Sequence, residues 1–114
     1  MATVNDVILR ARDLLADTKV PYRHSTAKLI RCLNDAFGDG YSIRPDLFLD
    51  AGMEPPEYDE GDLSTPWPVP TMYIPAFAQY VTSMAEFADD EFVSDGRATL
   101  FHKTFAAKLR GTPR

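Results

Sequence analysis

The side chains of this chain that could do chemistry are few, and their spacing argues against catalysis. His24 and His102 lie far apart and Cys32 is the single cysteine, so the Cys/His pattern of a zinc site is missing. Asp59-Glu60-Gly61-Asp62 sets carboxylates around a glycine, but lacks the alternating ligands and downstream Glu of a helix–loop–helix calcium site. Gly38-Asp39-Gly40 is not followed by Lys-Ser/Thr and makes no phosphate-binding loop. Ser25 and Ser94 stand where helices need N-caps, which accounts for them better than nucleophilic roles do. Cys32 falls within an apolar helical pattern and reads as a small buried residue in a reducing compartment. The sequence therefore predicts a protein that is not an enzyme and needs no cofactor or metal.

Charge is the next chemical resource, and it is unevenly placed. The formal net charge of −5 divides into +2 over residues 1–37, −7 over 38–70 and 0 over 71–114. Asp50, Glu54, Glu57, Asp59, Glu60 and Asp62 follow one another with no basic residue between them. Such a run is either a solvated loop or a surface for a metal or a partner. Arg10, Arg12, Lys19, Arg23, Lys28 and Arg31 make the first third mildly basic, and two helices joined by a short linker invite a helix-turn-helix reading. Lys28 and Arg31, however, share their face with Asp35, and phosphate contacts dominate DNA affinity, so an acidic chain fits that role poorly.

Helices must position these groups. Thr3, with Asp6 three residues on, opens a first helix whose stripe is Val4, Val7, Ile8, Ala11, Leu14 and Leu15, with Arg10, Arg12 and Asp13 outside it. A linker through Pro21 leads to Ser25, which caps a second helix carrying Leu29, Ile30, Leu33, Ala36 and Phe37 on one face. Its main body is expected to end at Phe37, with at most a strained or broken turn toward Ile43, because Gly38 and Gly40 weaken helices and Pro45 bars continuation. The short linker predicts that the two helices pack as antiparallel neighbours.

Residues 44–70 contain six prolines and can sustain neither a helix nor a central strand. Leu47, Phe48, Leu49, Met53, Tyr58, Trp67 and Val69 make this arm too apolar for a free linker, so it wraps on its own core or on a partner. A third helix is expected over Met72–Phe87, with Thr71 as cap, Pro75 in the first turn, and Phe77, Tyr80, Val81, Met84, Ala85 and Phe87 inward. A fourth starts near Ser94 or Asp95, buries Ala98, Phe101, Phe105 and Leu109, and stops at Gly111 and Pro113. The expected fold is all-α: one domain over 1–114, a four-helix bundle-like body in two pairs, with a long proline-rich acidic arm at roughly 44–70 between the second and third helices. Met1 to Asp6 lacks the pattern of a signal peptide and no apolar run spans a membrane, so a soluble protein made in the cytosol is expected.

Val4-x-x-Val7-Ile8-x-x-Ala11-Arg12-x-Leu14-Leu15-x-Asp17, Tyr22-Arg23-x-Ser25, Leu29-Ile30-Arg31-x-Leu33-Asn34-Asp35-Ala36 and Arg44-Pro45-Asp46 together resemble the N-terminal half of tailed-phage head–tail adaptor (connector) proteins. Pro68-x-Pro70, with Tyr73 and Tyr80 entering a helix pair that ends near Leu109, is similar to the C-terminal half, so the resemblance covers most of the chain. His24 departs from it, standing where a bulky aromatic is expected, and Gly38 and Gly40 interrupt what is one continuous helix in relatives. The resemblance implies a structural virion protein of the neck, made in the bacterial host cytoplasm. It would form a homo-oligomeric ring of about twelve copies, closed through heterologous interfaces, between the portal protein and tail or nozzle proteins. Double-stranded DNA would pass through without sequence-specific binding, and no membrane is involved. Leu47, Phe48, Tyr58, Trp67 and Tyr73 are the candidate subunit or portal interface, since aromatic anchors are favoured at interface centres. Asp50, Glu54, Glu57, Asp59, Glu60 and Asp62 are the candidate channel-facing acids, whose repulsion from phosphate would keep DNA sliding. The competing class is a small helical DNA-binding or partner-binding regulatory protein.

Overall fold

Thr3 opens helix α1 (Val4–Leu15) as its sequence predicts, its backbone N–H donating to the Asp6 carboxylate at 2.8 Å. Ser25 caps α2 (Thr26–Ile43) by accepting from the Lys28 N–H at 3.1 Å. After the arm come α3 (Ile74–Asp89), entered through a 3-10 turn at Thr71–Tyr73 with Pro75 in its first turn, and α4 (Asp95–Arg110). The computed structural model describes residues 2–22, 24–89 and 95–110, and among these residues the fold is all-α with no β-strand. The expected Ser94 cap and the Gly111 and Pro113 stop lie outside the described residues, as do the side chains of Asp50, Phe87, Ala98, Phe101 and His102.

The first correction concerns pairing. α1 rests chiefly on α3 and touches α2 only slightly, while α3 also packs on α2 and α4. The first two helices are therefore not each other's main neighbours, contrary to what the short linker predicts. The physical reason lies in α3, where Ala76, Phe77, Ala78, Tyr80, Val81 and Ala85 are all buried and cover most of the circumference. A helix apolar on so many sides belongs at the centre.

The second correction is the length of α2, which runs unbroken through both glycines to Ile43. Arg44 ends it outside helical geometry (φ −143°, ψ 83°), since the proline that follows disfavours the helical region there. Gly40 is buried, and a Cβ built there would lie 3.1 Å from Phe77 Cζ and 3.5 Å from both Leu109 Cδ1 and Phe48 Cζ. Glycine at this position lets α3, α4 and the arm close on α2. Gly38 faces open space, with nothing within 4 Å of such a Cβ. The two glycines should thus respond oppositely to alanine. Gly38→Ala is expected to raise stability by about 1 kcal/mol through helix propensity. Gly40→Ala should lower it by about 1–3 kcal/mol, because overpacking outweighs the propensity gain. Urea midpoints of the two variants check both signs.

Candidate functional site

The arm does not stand away from the helices. Leu47, Phe48, Trp67 and Val69 are buried in the common core, and Phe37 of α2 collects the aromatic rings. Its ring centroid lies 6.1 Å from Phe48, 5.8 Å from Tyr58, 5.3 Å from Trp67 and 5.6 Å from Phe77 of α3. This corrects the expectation that Leu47, Phe48 and Trp67 are interface anchors: side chains this enclosed by their own domain offer no surface to a partner. Tyr58 is half-buried on Phe37, and Tyr73 is half-buried beside Arg44.

Three backbone joints fasten the arm. The Asn34 side chain, in the middle of α2, donates to the Tyr58 carbonyl and accepts the Tyr58 N–H, both at 2.9 Å. Tyr41 donates its hydroxyl to the Met53 carbonyl at 2.8 Å. At the far end the arm satisfies the first turn of α1: Val4 and Asn5 donate to the carbonyls of Thr65 and Leu63 (3.0 and 2.9 Å), and Trp67 N–H donates to Ala2 at 3.0 Å. Asparagine is a poor residue for a helix interior, and that misfit at position 34 is the sequence signal that could have located the joint.

Arg44 is the second anchor. Its guanidinium donates to both Asp46 carboxylate oxygens (3.3 and 2.6 Å), to the Tyr73 hydroxyl at 3.1 Å and to the Leu109 carbonyl at 2.8 Å. One side chain so ties the end of α2 to the entry of α3 and to an open carbonyl in the last turn of α4. The hydrogen bond from Arg44 holds the Asp46 carboxyl below the usual carboxylate range.

The α1–α2 linker is held by a buried ionic knot that the sequence did not reveal. Arg12, assigned to the outer face of α1, is 3 % exposed, and Asp17 and His24 are 6 % and 1 %. Arg12 donates to the Asp17 carboxylate at 3.1 Å, to the His24 carbonyl at 2.9 Å and to the Thr26 hydroxyl at 3.1 Å. The same Asp17 oxygen accepts the His24 N–H at 2.9 Å, and the Arg12 guanidinium covers the Tyr22 ring at 3.8 Å. Lys28 Nζ lies 3.1 Å from His24 Nδ1.

The acids divide by role. Glu54, Glu57, Asp59 and Glu60 are exposed and Asp62 is half-buried; the Asp50 side chain lies outside the described residues. Asp59 and Asp62 are partly occupied in shaping the 3-10 turn Glu60–Asp62: Asp59 accepts the Gly61 N–H at 2.8 Å and Asp62 accepts the Asp59 N–H at 2.9 Å. Between α2 and the arm opens a cleft of about 440 Å³ lined by Lys28, Arg31, Cys32, Asp35, Glu57 and Met84. Its walls carry both charge signs and fit neither a simple anion nor a simple cation. Burial, and then Asp35, push the Cys32 thiol up, which keeps it protonated and unreactive. Among the described residues, no group of His, Cys, Asp or Glu is gathered so as to hold a metal, and no helix is long and apolar enough to cross a membrane.

Tyr80 supplies a pH prediction. It is buried on α3 and donates to Asp39 at 2.5 Å; burial first, and then that hydrogen bond, push its hydroxyl well above the ordinary tyrosine value. The unfolded chain loses this proton near about pH 10 while the folded chain keeps it. Its stabilising contribution is therefore complete below about pH 10 and is lost as pH rises beyond it. Cys32 acts with the same sign. Urea midpoints should fall as pH rises past about 10, and Tyr80→Phe should fall less steeply.

Compared with family models, characterised proteins and solved structures, the chain matches none. What the geometry offers is thus a surface and its supports: an arm locked onto a helical body, an exposed acidic row, and apolar side chains left outside. Leu9, Leu14, Val20, Leu49, Met53 and Met72 are exposed. All six are aliphatic rather than aromatic.

Proposed function

We propose that the chain is a structural, non-enzymatic subunit of a phage neck: a head–tail adaptor forming a ring of about twelve copies between the portal and the tail. In this reading the bundle-like body and its proline-rich arm form one rigid building block, which lines the DNA channel and meets the portal protein on one side and tail or nozzle proteins on the other. One observation carries the reading. The most distinctive elements of the adaptor resemblance, Leu33-Asn34-Asp35-Ala36 and Arg44-Pro45-Asp46, supply the joints of the block: Asn34 clasps the arm, and Arg44 ties α2 to Tyr73 and α4. A ring subunit needs such rigidity, because small errors in shape accumulate around a closed assembly.

Native mass spectrometry and negative-stain imaging of the purified chain over a range of concentrations, alone and with the cognate portal, test the proposal. Rings, or about a dozen copies on a portal, support it. A chain that stays monomeric with its portal and binds a duplex with steep salt dependence would instead support the regulatory reading.

The acidic row gives a second test. Glu57 and Glu60 are the acids to change, since amides at 59 and 62 would disturb the turn as well and Glu54 flanks the Leu49–Met53 segment. Replacing these two by Gln is expected to leave assembly intact and slow DNA ejection, because phosphate would be repelled less at the channel or its rim. Ejection at the wild-type rate would remove the acids from the channel.

A further inference from the structure

We infer that copies of this chain join head to tail by seating the Leu49–Met53 turn of one copy in the groove between α1, α3 and α4 of the next; the inference rests on the ring reading and specifies its contact. Leu49 is 70 % exposed and Met53 44 %, a large apolar projection for an acidic surface. Phe48 beside them points into the core and anchors the turn.

The projection is rigid. Gly52 and Met53 both take left-handed backbone, with φ of 84° and 59°, a conformation unfavourable for a residue with a Cβ such as Met53. The Gly52 N–H donates to Leu49 at 3.2 Å, the Met53 N–H donates to Phe48 at 2.9 Å, and the Tyr41 hydroxyl fixes the Met53 carbonyl. Backbone strain maintained at an exposed apolar turn is a recurrent mark of a recognition site. A turn already held in one shape also loses little freedom on docking.

The groove is a cavity of about 240 Å³ whose apolar lining includes Leu14, Ala76 and Phe105, with Thr82, Gln79 and Lys108 also bordering it. Leu14 belonged to the predicted core stripe, yet it is 52 % exposed, lying on the groove rather than in the core. Knob and groove are built from different elements. The Pro45–Ala51 segment packs on α2, whereas no α2 residue lines the groove. A contact between two different patches is heterologous: a joined pair keeps one free knob and one free groove, so assembly propagates and ends in a ring where the rotation between copies closes.

Charge selects a second copy as the occupant. Glu54 is exposed at the end of the knob, and residues 38–70 that carry it are net −7, while Lys108 borders the groove and Arg10 is exposed one helical turn before Leu14. Seating the knob brings opposite signs together, which favours this pairing over like-with-like contact of two knobs or two grooves.

The test uses the full chain with Leu49→Glu and Leu14→Glu. Both positions are exposed, so the helical circular dichroism of each variant should match that of the wild type. Each variant alone should self-associate at least about tenfold more weakly than the wild type. Mixed together they should form a one-to-one pair and nothing larger in native mass spectrometry, because one brings an intact groove and the other an intact knob. A misfolded variant could not complement in this way. If both variants assemble like the wild type, or each blocks assembly and their mixture gives no pair, the contact is overturned while the ring reading stands. A wild-type chain that stays monomeric even with the portal overturns both.

Discussion

Phe37→Ala is expected to cost the domain about 3–5 kcal/mol, the largest loss from any single truncation in the core. Phe37 is fully buried and touches four other rings, three of which (Phe48, Tyr58 and Trp67) belong to the arm. Removing the ring deletes its own burial and leaves a hole that those residues cannot all fill, because each is held by other bonds: Tyr58 by Asn34, and Trp67 by the Ala2 carbonyl. A domain of this size has only about 5–15 kcal/mol in total, so the variant sits near the edge of folding. Phe37→Leu keeps most of the volume and should lose markedly less. Urea denaturation checks the prediction. A loss below about 1 kcal/mol with an unchanged slope would mean that the arm and helices do not share one core.

Arg12→Ala and Asp17→Ala should each cost about 3–5 kcal/mol, since each removes the opposite charge that faces a buried ionised group. Arg12 serves three acceptors from one planar group, so Arg12→Lys should recover little. Replacing both residues together, Arg12→Met with Asp17→Leu, should cost less than the sum of the single changes, because no unpaired charge remains. Thermal denaturation of the four variants decides it. Additive losses would show that the pair is not coupled, and an effect abolished by high salt would place it in solvent rather than in the interior.

Sequence reading succeeded where the determinant is local. The Thr3 and Asp6 box, the Ser25 cap, the halt imposed by Pro45 and the inward Phe105 and Leu109 all depend on residues within a turn of one another. It failed where the cause comes from elsewhere in the chain. Gly40 reads as a break until Phe77 and Leu109 are seen against it. Arg12 reads as a surface residue because its acceptors arrive five to fourteen positions later. The role of α3 was obscured because Ala76 and Ala78 carry no strong periodic signal, although small residues suit the most crowded helix. The arm left two outcomes open in sequence, wrapping on itself or on a partner. Its aromatic residues took the first, and its aliphatic Leu49 and Met53 remain outside.

Trp67 is the only tryptophan, and it lies on the seam where the arm meets the body, its ring 5.3 Å from Phe37 and 5.4 Å from Phe77 and its indole N–H buried with no acceptor among the described residues. Any event that lifts the arm wets this one fluorophore and gives its N–H a water to bond. Intrinsic emission is therefore a built-in optical gauge of arm docking: blue while the seam is closed, red once it opens, and readable without a label during assembly.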